Sequence, residues 1–198
     1  HPVRFSEIYH TRLINNIYFD TLGMHHYYDN VEGASERLKV RIRWYGDLMG
    51  IIQKPTLEYK IKKGLLGKKE SYALNAFLLD NSFDKSQIEK ATDSAVIPLF
   101  VRNEVLSLKP TLMNSYSRKY FLSADKKFRI TIDYKLSYHQ INYGRNNFIH
   151  KSCDHRTTVL ELKYDAAHEP EAKAVSDQFP FSLTKSSKYL QGLERIVL

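Results

Sequence analysis

Arg37-Leu38-Lys39-Val40-Arg41-Ile42-Arg43-Trp44-Tyr45-Gly46 sets a cation at every second position and an apolar residue between each pair. Successive side chains of a strand point to opposite faces. Arg37, Lys39, Arg41 and Arg43 therefore share one face, and Leu38, Val40, Ile42 and Trp44 share the other. Like charges two residues apart sit about 7 Å from one another and repel by about 2 kcal/mol at an effective dielectric of ~20. Water and salt reduce this repulsion, but they give no reason for choosing Arg almost throughout. A planar guanidinium that binds phosphate oxygens in pairs and never loses its charge supplies one.

The same alternation recurs at Leu13 to Asp20, Thr56 to Lys62, Tyr116 to Ser123, Phe128 to Tyr138 and Thr158 to Tyr164. Ala124-Asp125-Lys126-Lys127 reads as a hairpin turn, and Gly64-Leu65-Leu66-Gly67 as another leading into Lys68 and Lys69. Between the strands, residues 74 to 110 carry helix-like runs (NAFLL, KSQIEKA, LFVRNEVLSL) closed by Lys109-Pro110. Two C-terminal helices are predicted within about 169–198, one over Glu169 to Gln178 and one over Ser182 to Ile196. Residues 1–198 then form a single domain of class α+β, a mainly antiparallel sheet with helices outside. Two arrangements satisfy the pattern. The charged faces look into solvent, or the sheet closes into a barrel with a polar interior that aims Arg and Lys at one axis.

Composition narrows the partners. Lys and Arg number 30 against 22 Asp and Glu, a net charge of +8, which suits nucleic acid, a phosphorylated small molecule or an acidic membrane surface. Fourteen Tyr and ten Phe favour strands. Cys153 alone excludes an internal disulfide, and no apolar run reaches the roughly 18 residues of a membrane span. No signal peptide is read, and the chain is expected in the cytoplasm or at the cytoplasmic face of a membrane. It opens on His1 instead of Met, so an earlier segment is expected.

Taken together, NIYFDT (16–21), KVRIRWYG, LEYKIK, SYSRKYF, FRITID, LELKY and TKSSKY (184–189) resemble the catalytic domain of the vacuolar transporter chaperone (VTC) family. These are polyphosphate polymerases of the triphosphate tunnel metalloenzyme, or CYTH-like, superfamily. The resemblance runs over nearly the whole chain in order. It implies an antiparallel tunnel barrel, transfer of the ATP γ-phosphoryl group to a growing polyphosphate chain, and Mn²⁺ or Mg²⁺ as cofactor. The ligands it implies are ATP and polyphosphate, not nucleic acid. It allows a membrane-associated partner subunit or domain outside this chain, and an oligomer.

Residue by residue, the resemblance makes Arg41 and Arg43 phosphate clamps, with Lys39 beside them, and gives Lys60 and Lys62 to the next strand. Lys69 lies near the tunnel mouth; Tyr116 and Arg118 form the Tyr-x-Arg pair, and Arg129 follows on the next strand. Glu161 is the metal-holding carboxylate. Lys185, Ser187 and Lys188 form a phosphate-binding segment, which physics supports because a helix start exposes N–H groups beside the lysines. One departure stands out. The Glu- and Lys-bearing first strand of the superfamily is not read in PVRFSEIYH, taken here as short helix or loop, and is expected upstream of His1.

Two rivals remain. One is a triphosphatase or cyclase-like hydrolase, which is disfavoured because Lys163 stands where a second inward Glu would sit. The other is a binding module that holds polyphosphate without turnover. HKSCDH (150–155) has metal-ligand types without a zinc spacing and reads as a loop, as does His25-His26. GLLGKK lacks the spacer and Ser/Thr of a phosphate loop. Trp44 and the Tyr and Phe residues read as packing.

Overall fold

The computed structural model describes residues 3–64, 66–93 and 96–196. Within them the chain runs β1 (Ser6–Asp20), α1 (His25–Glu32), β2 (Glu36–Tyr45), β3 (Gly50–Ile52), β4 (Thr56–Lys63), β5 (Leu66–Ala73) and β6 (Phe77–Leu79). It continues as α2 (Lys85–Thr92), α3 (Leu99–Ser107), β7 (Lys109–Leu122), β8 (Phe128–His139), β9 (Lys151–Asp154), β10 (Val159–Tyr164), α4 (Glu169–Ser176) and α5 (Lys188–Ile196). Eight strands form one antiparallel sheet in the order β10-β8-β7-β1-β2-β4-β5, with β9 also on β8; β3 and β6 pair separately. No helix among the described residues is long and apolar enough to cross a membrane.

The α+β class holds, but the expected barrel does not close. Closure requires the last strand to pair with the first. Here β5 and β10 each pair with a single neighbour among the described residues, so they are the two edges of an open sheet.

The two faces are covered to different extents. Leu57, Val40, Ile42, Trp44, Ile17 and Phe19 point to one side, where they meet α2, α3 and the β3–β6 pair through Ile88, Val101, Val105, Phe77 and Phe83. On the opposite side only one end is apolar. Ile14, Tyr18, Leu112, Tyr116, Leu136 and Tyr138 there receive Tyr189 and Leu193 of α5. Burying a side chain such as Leu193 contributes about 1.5–3 kcal/mol. Gly192 makes the approach possible, because a Cβ there would come within 2.6 Å of Tyr138 Cδ1 and press on Leu112. The rest of this second face carries charged and polar side chains and exposed tyrosines.

Several local expectations are corrected. PVRFSEIYH is not helix or loop; its residues from Ser6 onward belong to β1, which pairs with β7 from Ser6 against Leu122 onward. Its first half is exposed on both faces, so no apolar period marks it. NAFLL forms β6 instead of a helix, with Phe77 and Leu79 turned inward and Leu78 outward. HKSCD contributes β9, and His25-His26 opens α1. The buried Asp20 carboxylate starts that helix by accepting from the backbone N–H groups of His26 and Tyr27, both at 2.9 Å. The last helix begins at Lys188, six residues later than Ser182, and Gln191 N–H bonds to Ser187 O at its first turn. The turn at Ala124 to Lys127 is as expected, with Lys126 in the left-handed region. Of the predicted Gly64 to Gly67 turn, Leu65 lies outside the described residues, and β5 resumes at Leu66.

Candidate functional site

Register assembles the charged face. Arg43, Arg41, Lys39 and Arg37 of β2 stand opposite Thr56, Glu58, Lys60 and Lys62 of β4, and Lys60 stands opposite Lys69 of β5. On the other flank, Asn16 and Tyr18 of β1 face Arg43 and Arg41. Across β7, Arg118 pairs with Asp133 of β8, which pairs with Val159 of β10. These strands thus bring cations from distant sequence positions onto one surface.

Two buried carboxylates organise them. Glu58 is 5 % exposed, and its Oε2 accepts from Arg41 Nε at 2.7 Å and lies 2.6 Å from Arg41 Nη2. Arg43 Nη1 is 3.7 Å from the same oxygen, and Lys69 Nζ is 2.6 Å from Oε1. Burial would raise the Glu58 carboxyl; Arg41, Arg43 and the Lys69 hydrogen bond outweigh it and hold it down to about 2. Asp133, 1 % exposed, takes a bidentate pair from Arg118 at 2.5 and 2.8 Å and an ion pair from Lys188 Nζ at 2.6 Å. Burial opposes the Asp133 charge as well, and Arg118 and Lys188 bring its carboxyl below the usual range. An unpaired charge in such a place would cost several kcal/mol, of order 3–5.

Aromatic and amide groups fix the arginines further. Arg43 donates to Asn16 Oδ1 at 2.9 Å and to the Tyr116 hydroxyl at 3.4 Å. Arg41 Nη1 donates to the Tyr18 hydroxyl at 3.3 Å. The Tyr116 ring lies 5.3 Å from the Arg118 guanidinium carbon and 4.8 Å from Lys188 Nζ. Burial opposes charge at Arg41 and at Arg118; Tyr18 and Glu58 overcome it at Arg41, Asp133 does so at Arg118, and both groups are raised above the ordinary guanidinium range. Lys39 goes the other way. Burial, then Lys60, Arg37 and Arg41, lower its ammonium to about 8, and its Nζ donates to Ser187 Oγ at 2.9 Å.

Five cations, Arg41, Arg43, Lys69, Arg118 and Lys188, therefore surround two carboxylates, and Lys39 and Lys60 extend the same face. The excess positive charge is held by rigid strands and one helix, which suits a ligand with several negative charges in a row.

The other predicted residues stand at the margin. Arg129 is exposed on β8, opposite Lys163 of β10 and Leu122 of β7. Lys62 lines a separate cavity of about 470 Å³ with Arg37 and Glu104. Lys185 lies in a cavity of about 600 Å³ between β10 and residues 179–186, among Leu160, Leu162, Phe179 and Phe181. Glu161 is half-exposed on the β10 edge, with Lys163 Nζ at 3.4 Å, and pairs in register with Thr131. The Thr131 hydroxyl is buried and has no hydrogen-bond partner. A carboxylate beside an unmet hydroxyl fits a hard divalent ion that takes its remaining ligands from phosphate and water. Among the described residues no three His, Cys, Asp or Glu side chains gather into a metal cage.

By parity Glu58 shares a strand face with Lys60 and Lys62, and Asp133 shares one with Arg129 and Lys135, but parity alone gives neither carboxylate a role. Their signal was parity: each is a lone acid on a strand face otherwise set with cations. Asn16 and Tyr18 gave no such signal, since NIYFD reads as ordinary strand.

A family model described as VTC domain matches residues 1–197. A search of curated proteins finds no match.

Proposed function

The chain belongs to the VTC domain family, and from that premise we propose that it is a polyphosphate polymerase. It transfers the γ-phosphoryl group of ATP to the end of an inorganic polyphosphate chain. The observation that carries the reading is the convergence of Arg41, Arg43 and Arg118 with Lys69 and Lys188 on one sheet face.

Phosphoryl transfer needs phosphates held in line and charge neutralised on the transferred oxygens, with little covalent work from protein. Arg41 and Arg43 grip one stretch of phosphate, and Arg118 and Lys188 grip the next. A terminal polymer oxygen attacks the γ-phosphorus of ATP, the bond to the bridging oxygen breaks, and ADP leaves with that electron pair. Glu58 and Asp133 keep the guanidiniums oriented between turnovers, so the site does not reorganise when phosphate arrives. Lys39, lowered to about 8 in the free protein, is drawn fully into its charged form as polyanion binds. Glu161 and Thr131 would hold Mn²⁺ or Mg²⁺, which supplies further neutralising charge when bound. A partner that draws the polymer across a membrane is compatible with this chemistry and forms no part of it.

The test is synthesis of acid-insoluble polyphosphate from ATP with Mn²⁺. Glu161→Gln should abolish turnover more than tripolyphosphate binding, and Arg41→Ala should weaken both. Tripolyphosphate binding with no ATP turnover would sink the polymerase and leave a binding module. Release of inorganic phosphate in place of polymer would make the chain a hydrolase.

A further inference from the structure

The charged face does not end at Arg43 and Arg118. Arg12 of β1 stands directly opposite Arg118 of β7, and Tyr45 follows Arg43 by two residues on β2. A bulge sets two residues of β1, His10 and Thr11, against one of β7, Lys119, between the Tyr9–Tyr120 and Arg12–Arg118 pairs, which turns Tyr9 onto the same face. The Arg12 guanidinium carbon lies 4.7 Å from the Tyr9 ring centroid, 5.4 Å from Tyr120 and 5.9 Å from Tyr45. Tyr9 and Tyr120 meet edge to face at 5.7 Å.

Packing does not explain this group. Tyr9 is 51 % and Tyr45 54 % exposed, while Trp44 beside it is buried. Arg118 spends its charge on Asp133, whereas Arg12 has no carboxylate among the described residues; nearby Glu7 lies 3.9 Å from Lys119. The result is a set of open aromatic faces around an unmatched cation, one strand step of about 7 Å beyond the phosphate clamps.

We propose that Tyr9, Arg12 and Tyr45 form the nucleoside subsite, on which the base of the nucleoside triphosphate donor stacks while its phosphates run to Arg118 and Arg43. This rests on the phosphate-transfer reading of the same face. A planar base suits tyrosine rings and a guanidinium plane, and the unmatched Arg12 charge falls where the first phosphate follows the ribose. Stacking reads no base edge, so ATP and GTP should bind alike.

The experiment compares ATP and sodium tripolyphosphate binding by calorimetry on the whole chain, with folding of each variant checked by circular dichroism. Tyr45→Ala and Tyr9→Ala should each weaken ATP about tenfold and leave tripolyphosphate within about twofold, while Tyr45→Phe restores ATP. Phe181→Ala, in the separate cavity beside β10, should change neither ligand. Unchanged ATP affinity in both alanine variants, or an equal loss for both ligands, overturns the subsite while tripolyphosphate binding keeps the phosphate reading intact. Loss of ATP alone in Phe181→Ala moves the nucleoside to that cavity and overturns it too. If the unmodified chain binds neither ligand, the phosphate reading itself fails.

Discussion

Glu58→Gln separates what holds the site together from what the site holds. The Glu58 carboxyl falls from 4.5 to about 2 in the fold, and at about 1.4 kcal/mol per unit this is about 3 kcal/mol of stability. That agrees with the 3–5 kcal/mol range for removing one member of a buried pair. Because the folded pKa is depressed, the contribution is present above about pH 4.5 and is lost as pH falls toward about 2. The variant should therefore unfold earlier in urea at pH 7, with the difference closing as pH falls through that window. Ligand binding should move oppositely. A phosphate charge about 7 Å from the carboxylate is repelled by about 2 kcal/mol at an effective dielectric of ~20, so with salt screening the variant should bind tripolyphosphate about tenfold tighter. Saturating tripolyphosphate should then recover part of the lost stability. Wild-type stability at pH 7 combined with weaker tripolyphosphate binding would refute the view that Glu58 secures the arginines while repelling the charge of the ligand.

Other perturbations follow from the same geometry. Gly192→Ala adds a methyl 2.6 Å from Tyr138 Cδ1 and should lower stability by about 1–3 kcal/mol; a rise in melting temperature from better helix propensity would show that α5 does not sit this close. Lys39, depressed to about 8, carries a charged-state penalty that is fully present below that pH and relieved by about pH 10.5. Stability should rise across that window through this group, and the rise should be missing in Lys39→Met. Tripolyphosphate binding at pH 8 should take up about half a proton, read as calorimetric heats that depend on buffer ionisation enthalpy, and should not do so in that variant. Tyr189→Phe removes the hydroxyl that bonds Asp20 at 2.5 Å and should cost about 1–3 kcal/mol in urea denaturation.

Where one face of a strand is buried and the other charged, the sequence shows it. KVRIRW and TLEYKIK announced both the sheet and the cationic face by period two alone. Segments buried or exposed on both faces lose that period. Thr111 to Tyr116 of β7 are buried throughout, and the first half of β1 is exposed throughout, so the strands run longer than their alternating cores. NAFLL is too short for its apolar residues to tell a strand from a helix. The cations Arg41, Arg43, Lys60 and Arg118 were legible as types on faces, while Lys69 and Lys188 came only from the family resemblance. What holds them was not, because Glu58 and Asp133 gain their meaning from strands far away in sequence. Arg12 was hidden by the bulge, which breaks the parity that would have joined it to Tyr9.

The most direct measurement is a crystal structure of the chain with bound tripolyphosphate. The account predicts phosphate oxygens within hydrogen-bonding distance of Arg41, Arg43, Arg118 and Lys188 on one sheet face, with Glu161 turned toward the same chain. Phosphate bound only at other surfaces, with Arg41 and Arg118 still paired with Glu58 and Asp133 and touching no phosphate, would contradict it.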